Sequence, residues 1–163
     1  YIFRGEGAIM SDDMRVRLAV ENDAKVIAGF NVSMAMETEG KELSPDVVGC
    51  GVRGLFENPK YGFYVVAESA GEVVGSLMIT YEWSDWRSGV FWWIQSVYIR
   101  PDSRRKGVFT RLYEFVRAEA RRRADVCGLR LYFERDNEIA EAAYRNLGMK
   151  RSSYDIFEEE FHP

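Results

Sequence analysis

Between Gly62 and Ile99 the sequence carries three apolar runs separated by two short turn-forming clusters. Gly62 to Ala67 and Val73 to Trp83 flank Ala70-Gly71-Glu72, and Ser84 to Gly89 leads into Val90 to Ile99. Runs of this length, rich in β-branched and aromatic residues and punctuated by Gly and Ser, predict strands. The three fit an antiparallel meander, and any fold for this chain has to be built around it.

The flanking segments read differently. Met14 to Ala19 alternates apolar and polar residues, as a half-buried strand does. Glu21-Asn22-Asp23 can open a helix bearing Ala24, Ile27, Ala28, Val32, Met34 and Ala35, which Gly40 stops. Pro45-Asp46 starts a second helical segment through Leu55, ending before Asn58-Pro59. After Pro101 and Gly107, Phe109, Leu112, Tyr113, Val116 and Ala120 recur at helical spacing. Gly128 closes a loop before a strand over Leu129 to Phe133. Asp136-Asn137 can cap a helix bearing Ile139, Ala143, Tyr144 and Leu147, which Gly148 terminates. Ser153 to Phe161 reads as a last strand. The pattern predicts a mixed α+β fold, helices packed on a sheet.

Composition narrows this further. A chain of 163 residues suits one domain, placed here over residues 10–163, at ~100–200 residues per domain. Residues 1–9 read as a flexible leader or an appended remnant, with Met10 or Met14 as the natural start. No run approaches ~18 consecutive apolar residues, which excludes an ordinary transmembrane helix. Cys50, Cys127 and His162 are the only residues of their kinds, so neither a disulfide framework nor a Cys/His metal site is expected. With no targeting signal, a cytoplasmic location is the default.

The net charge of −4 conceals a segregation. Residues 100–123 hold 9 basic and 3 acidic residues, net +6, between flanking segments of −6 and −4. The junction Ile99-Arg100-Pro101-Asp102-Ser103-Arg104-Arg105-Lys106-Gly107-Val108-Phe109-Thr110 joins a strand end, a basic turn and a helix start. Unpaired N–H groups and the helix dipole make such a start a ready anion site, and Gly107 permits close backbone approach. An exposed basic turn that binds nothing fits the spacing equally well. The apolar positions interleaved in the helix, with the net acidity, argue against a nucleic-acid groove.

Arg104-x-x-Gly107-x-Phe109 resembles the Gln/Arg-x-x-Gly-x-Gly/Ala loop of the GCN5-related N-acetyltransferases (GNAT family), departing from it at Phe109. The stretch from Asn137 through Ala143, Tyr144, Leu147, Gly148 and Met149 resembles that family's second signature. Even the opening strand and helix are similar, so the likeness runs from about Met14 to the C-terminus. It implies a mostly antiparallel, splayed sheet flanked by helices, with acetyl-CoA as cosubstrate and no metal. It further implies that the backbone of Val97, Tyr98 and Ile99 pairs with the pantetheine arm. The loop Arg105, Lys106, Gly107, Val108, Phe109 and Thr110 would hold the pyrophosphate, with Arg104 and Lys106 as charge contacts and Asn137 on the coenzyme side.

The implied reaction is direct attack of a neutral amine on the thioester, with a backbone N–H near Val97 polarising the carbonyl. Tyr144 matches the family's acidic tyrosine, although helical spacing alone reads it as a core residue. The candidate bases are Glu82, at the end of the preceding strand, and Glu37 or Glu39, with a water relay ending at one of them fitting equally well. Cys127 lacks a histidine partner and is no nucleophile. Glu37, Glu39, Trp83 and Trp93 lie where the family places its acceptor, and acids beside aromatic faces suit a cation. The same tryptophans fit core or dimer contacts. The expected acceptor is a small primary or polyamine-like amine, and a homodimer is one arrangement. A protein lysine or N-terminus as acceptor, or a silent acyl-CoA-binding regulatory module, are the competing readings.

Overall fold

The computed structural model describes residues 13–133 and 137–161. The expected leader over residues 1–9, Met10, Asp136 and His162 lie outside them. The chain divides into two compact units, one ending at Tyr132 and the other beginning at Phe133.

The first unit is built on a five-stranded sheet. Its strands are β1 (Met14–Leu18), β2 (Gly62–Ser69), β3 (Glu72–Ser84), β4 (Gly89–Ile99) and β5 (Val126–Leu131), in spatial order β1-β2-β3-β4-β5. β1 to β4 pair antiparallel, which includes the expected meander, and β5 joins β4 parallel. Ala70 and Gly71 both have positive φ, 51° and 79°, the combination that matches a two-residue turn to strand twist.

α1 (Ala24–Glu39) and α2 (Pro45–Glu57) cover one face of the sheet. Gly40 ends α1 in the left-handed region at φ 61°, its N–H donating to the Ala35 and Met36 carbonyls. Ser44 caps α2, with Pro45 in its first turn, where the missing N–H costs nothing. Ile27 and Val52 from these helices meet Tyr64 and Val66 of β2, with Met78 of β3 packed alongside. Side chains alternate along a strand, so the odd-numbered Val65, Leu77 and Ile79 face the other way, and all three are fully buried. There α3 (Val108–Arg121) lays down Val108, Leu112, Tyr113, Val116 and Ala120. At Gly75 a Cβ would stand 2.7 Å from Ile99 Cδ1 and 3.2 Å from Val108 Cγ1, so glycine lets this helix start close to the sheet. Each such burial contributes ~1.5–3 kcal/mol, and covering both faces makes the central strands a firm base for the groups at their ends.

One polar network ties the sheet edge to α1. Arg17 donates to both Asp23 oxygens at 2.7 and 3.0 Å and to Glu68 at 2.5 Å, while Val20 N–H donates to Asp23 at 2.8 Å. The Arg17 guanidinium holds the Asp23 carboxyl below the usual carboxylate range, helped by Val20 N–H and opposed by burial.

In the second unit, α4 (Glu138–Asn146) is capped by Asn137, whose Oδ1 accepts from Ala140 N–H at 3.0 Å. Gly148, at φ 87°, follows its last turn, and Met149 N–H returns to the Tyr144 carbonyl at 3.0 Å. The Tyr144 ring stands edge-on to Phe133, centroids 6.1 Å apart.

Two expectations need correction. Ser153 to Phe161 forms no strand, and Tyr154, Ile156 and Phe157 are exposed. Its alternation breaks at Ile156-Phe157, and Glu158-Glu159-Glu160 then places three like charges in a row. β5 begins at Val126 rather than Leu129, with Gly128 inside it. A Cβ on Gly128 would lie 2.6 Å from the Phe91 ring, so this glycine makes room for an aromatic neighbour rather than a turn.

Candidate active site

The sheet opens beside β4. Pairing of β4 with β5 ends at Ile94 and Leu131, so among the described residues no strand pairs with Gln95 to Ile99 on that edge. On its other edge, β4 slips against β3: Met78 faces Gln95 but Ser76 faces Tyr98, so β4 carries one extra residue. Ser96 takes up the slack with φ 49°, a left-handed position that makes this a β-bulge.

The bulge decides which backbone groups face the opening. Arg100 N–H donates to the Val74 carbonyl across to β3, so by alternation the groups of Tyr98 also face β3. Those of Val97 and Ile99 face the open edge. An added strand-like ligand can therefore pair with Val97 and Ile99, whereas Tyr98, expected to pair through its backbone, is turned away. The Ile99 carbonyl already accepts from Arg104 Nε at 2.9 Å.

Below the opening comes the basic loop. Arg105 has φ 62° and Gly107 φ 76°, two left-handed residues within four, and Gly107 caps α3. Helix starts leave their first N–H groups without intrahelical acceptors, and here those of Val108 and Thr110 stand at the loop's end. Arg100 is held by Glu72 and Asp102, at 2.7 and 2.6 Å. Arg104 is held by Glu37 of α1 at 2.5 Å. Arg105 and Lys106 are exposed and make no hydrogen bond or ion pair among the described residues. The cations free to meet a diphosphate are thus the two immediately before Gly107.

Glu37, expected on the acceptor side, joins this loop instead. Its second oxygen accepts from the Tyr98 hydroxyl at 2.8 Å. Arg104 and then that hydroxyl hold the Glu37 carboxyl below its ordinary range. Burial and the same bond push the Tyr98 hydroxyl up. Glu39 lies exposed in the last turn of α1 with no such bond among the described residues.

Beyond α1 and α2, the same sheet face carries a second cluster. Glu82, Phe91, Trp93, Arg130 and Tyr132 share it by register. The Trp93 indole N–H donates to one Glu82 oxygen, and Arg130 donates to the other at 2.5 Å. The Arg130 guanidinium sits 3.7 Å from the Phe91 ring centroid. Trp93 stacks on Tyr132, with centroids 4.3 Å apart. Gln95 donates to Thr80 at 2.6 Å on this face. Glu82 and Trp93 therefore come together, whereas Trp83 follows Glu82 and points from the opposite face, 64% exposed. Arg130 and Tyr132 carry no local motif that marks them for this cluster. Their i, i+2 spacing was visible, but only the register of β5 against β4 puts them beside Trp93.

Tyr144 and Asn137 belong to the second unit. Asn137 commits its side-chain oxygen to capping α4. Tyr144 is half-buried, and that burial pushes its hydroxyl above the ordinary tyrosine value. Among the described residues no group of three His, Cys, Asp or Glu is placed to hold a metal. No helix among them is long and apolar enough to cross a membrane.

The sequence profile of the Acetyltransferase (GNAT) family matches residues 17–149. No curated protein sequence matches the chain. The structure of a possible acetyltransferase from Clostridium difficile 630 is similar over 93% of this chain and 100% of its own, at 41% identity and TM-score 0.85. A predicted acetyltransferase from Clostridium acetobutylicum, determined with acetyl-CoA, covers 91% of this chain and 99% of its own, at 16% identity and TM-score 0.72. The ribosomal-protein-alanine N-acetyltransferase of Brucella melitensis biovar Abortus 2308 covers the same shares, at 17% identity and TM-score 0.74. The last two show the fold alone. The family profile spans most of the chain, and the 41% identical structure spans nearly all of it: this protein belongs to the GNAT family and is an acyltransferase.

Proposed function

We propose that the protein transfers the acetyl group of acetyl-CoA to a small-molecule primary amine by direct attack. The observation that carries this is the open edge of β4 at the Ser96 bulge, running straight into a cationic loop at a helix start. The donor set fits the coenzyme: Val97 and Ile99 offer backbone groups to an amide-bearing arm. The N–H groups of Val108 and Thr110, with Arg105 and Lys106, offer donors and charge to a diphosphate. When bound, the coenzyme supplies an activated acetyl thioester.

The chain's own residues do the rest. Val97 N–H, on the open edge, donates to the developing oxyanion. Tyr144 donates a proton to the departing sulfur, a role supported by its place in the second signature. Glu82 accepts the amine proton through its remaining lone pairs, directly or through water, while Arg130 and Trp93 fix its orientation. Trp93 and Tyr132 offer aromatic area to the acceptor. Glu37 and Glu82 are already paired with arginines, so of the acids expected to attract a cation only Glu39 is left. The acceptor reads as an amine selected by aromatic contact more than by multiple positive charges.

The test is thiol release from acetyl-CoA across a panel of small amines, polyamines and peptides. Turnover on a small amine is expected, and Tyr144→Phe should lower kcat by roughly 100-fold or more while coenzyme affinity holds. Tight coenzyme binding without turnover on any amine would support the silent module instead. Turnover confined to peptides would make the protein a protein acetyltransferase.

A further inference from the structure

We propose that Glu37 and Tyr98 clamp Arg104, and through it the loop from 104 to 107. Arg104 and Glu37 are then positioning residues for the coenzyme's diphosphate, neither touching it. This rests on the coenzyme reading above. The guanidinium is held at three points. Nε donates to the Ile99 carbonyl at 2.9 Å, Nη2 donates to Glu37 at 2.5 Å, and the Tyr98 ring lies 5.5 Å away. The Tyr98 hydroxyl donates to the other Glu37 oxygen at 2.8 Å, so the carboxylate is engaged at both ends. Tyr98 gives a firm base: it is 7% exposed, and its ring packs against Phe30 with centroids 5.0 Å apart.

The next residue explains what the clamp is for. Arg105 sits at φ 62°, a conformation a non-glycine residue keeps only where its surroundings over-determine it. Anchoring Arg104 to the end of β4 and to α1 supplies that constraint, and it sets the direction of Arg105, Lys106 and the N–H groups after Gly107. Were Arg104 instead to swing to the diphosphate, Glu37 would lose its cation and stand as a bare anion beside an anion site. The same Nε bond occupies the Ile99 carbonyl, which marks where strand-like pairing of the arm ends and the phosphate loop begins.

Coenzyme A binding to the parent, Glu37→Gln, Arg104→Gln, Tyr98→Phe and the Glu37→Gln/Arg104→Gln double variant tests this by calorimetry, well below each unfolding midpoint. Each charge variant should raise Kd by roughly tenfold, and Tyr98→Phe by less in the same direction. The double variant should bind no more weakly than the weaker single, because the residues act as one unit. If Glu37→Gln binds more tightly or unchanged while Arg104→Gln binds more weakly, Arg104 is a direct ligand and the clamp is wrong. Additive losses, or a lowered unfolding midpoint with unchanged Kd, also overturn it. Tyr98→Phe keeps the ring on Phe30 and preserves the test if a charge variant fails to fold. A parent that binds no coenzyme A overturns the acetyltransferase reading and the clamp together, whereas a binding parent with unmoved variants overturns the clamp alone.

Discussion

At the scale of the residue, Arg17 and Gly128 illustrate opposite kinds of constraint. Arg17 joins Asp23 and Glu68, side chains from elements far apart in sequence. The folded Asp23 carboxyl has its pKa below its ordinary value. Its contribution is therefore complete above an unfolded value of about 3.9 and is lost as pH falls through the folded one. Asp23→Asn should cost ~1–3 kcal/mol at pH 7, and denaturant unfolding should show a flatter stability profile below about pH 4 than the parent's. Gly128 constrains by what it lacks. Gly128→Ala drives a methyl into the Phe91 ring, itself beneath Arg130. The expected loss is ~1–3 kcal/mol in denaturant unfolding, with reordering of the Arg130–Glu82 pair. A variant as stable as the parent would show that Phe91 moves aside freely. Neither effect is written in the local sequence, where Arg17 is one more polar strand residue and Gly128 a turn signal.

At the scale of the element, the bulge in β4 matters most. The apolar run from Val90 to Ile99 announced a strand, and nothing in it announced an extra residue at Ser96. Yet the bulge turns Tyr98 onto the face covered by α1, where it reaches Glu37. A strict alternation would leave it on the other face, since a one-residue slip reverses every later side chain. The bulge holds Ser96 in a left-handed backbone conformation. Ser96→Gly should therefore keep coenzyme binding and match or exceed parental stability by up to ~1 kcal/mol. Ser96→Val should lose ~1–2 kcal/mol, because a β-branched side chain resists positive φ. Thermal unfolding of both variants checks this, and a Val variant as stable as the Gly one would argue against strain at this position. Helix ends are more legible: Gly40, Pro45 and Asn137 each mark an end where the structure has one, because capping depends on a few adjacent residues.

At the scale of the whole molecule, the basic stretch from 100 to 123 takes on a different meaning. Arg100, Arg104, Arg117, Arg122 and Arg123 are each ion-paired, and Arg111 donates to the Met14 carbonyl. Among the described residues, Arg105, Lys106 and Arg121 make no such bond. The +6 charge therefore condenses to a few free cations, two of them at the helix start. Coenzyme A at 100 times its Kd should stabilise the protein by about 2.7 kcal/mol, seen as a raised unfolding midpoint. Lys106→Gln should diminish that rise and flatten its dependence on salt, while Arg121→Gln should leave both alone. Equal effects from the two substitutions would mean that the charge acts diffusely.

The meander, the amphipathic α3, the helix ends and the two spaced signatures that mark a GNAT acetyltransferase are all carried by short spans of sequence. Each depends on periodicity or on a few neighbouring backbone groups, so local chemistry suffices. Tertiary structure alone decided which charges are free and which are engaged. Glu37 and Glu82 both read in the sequence as solvated acids near an amine site. One is bound to Arg104 and Tyr98 and the other to Arg130 and Trp93, partners 11 to 67 residues away. An ion pair forms where the register of β4 and the landing of α1 bring opposite charges within reach, and no local pattern encodes that distance.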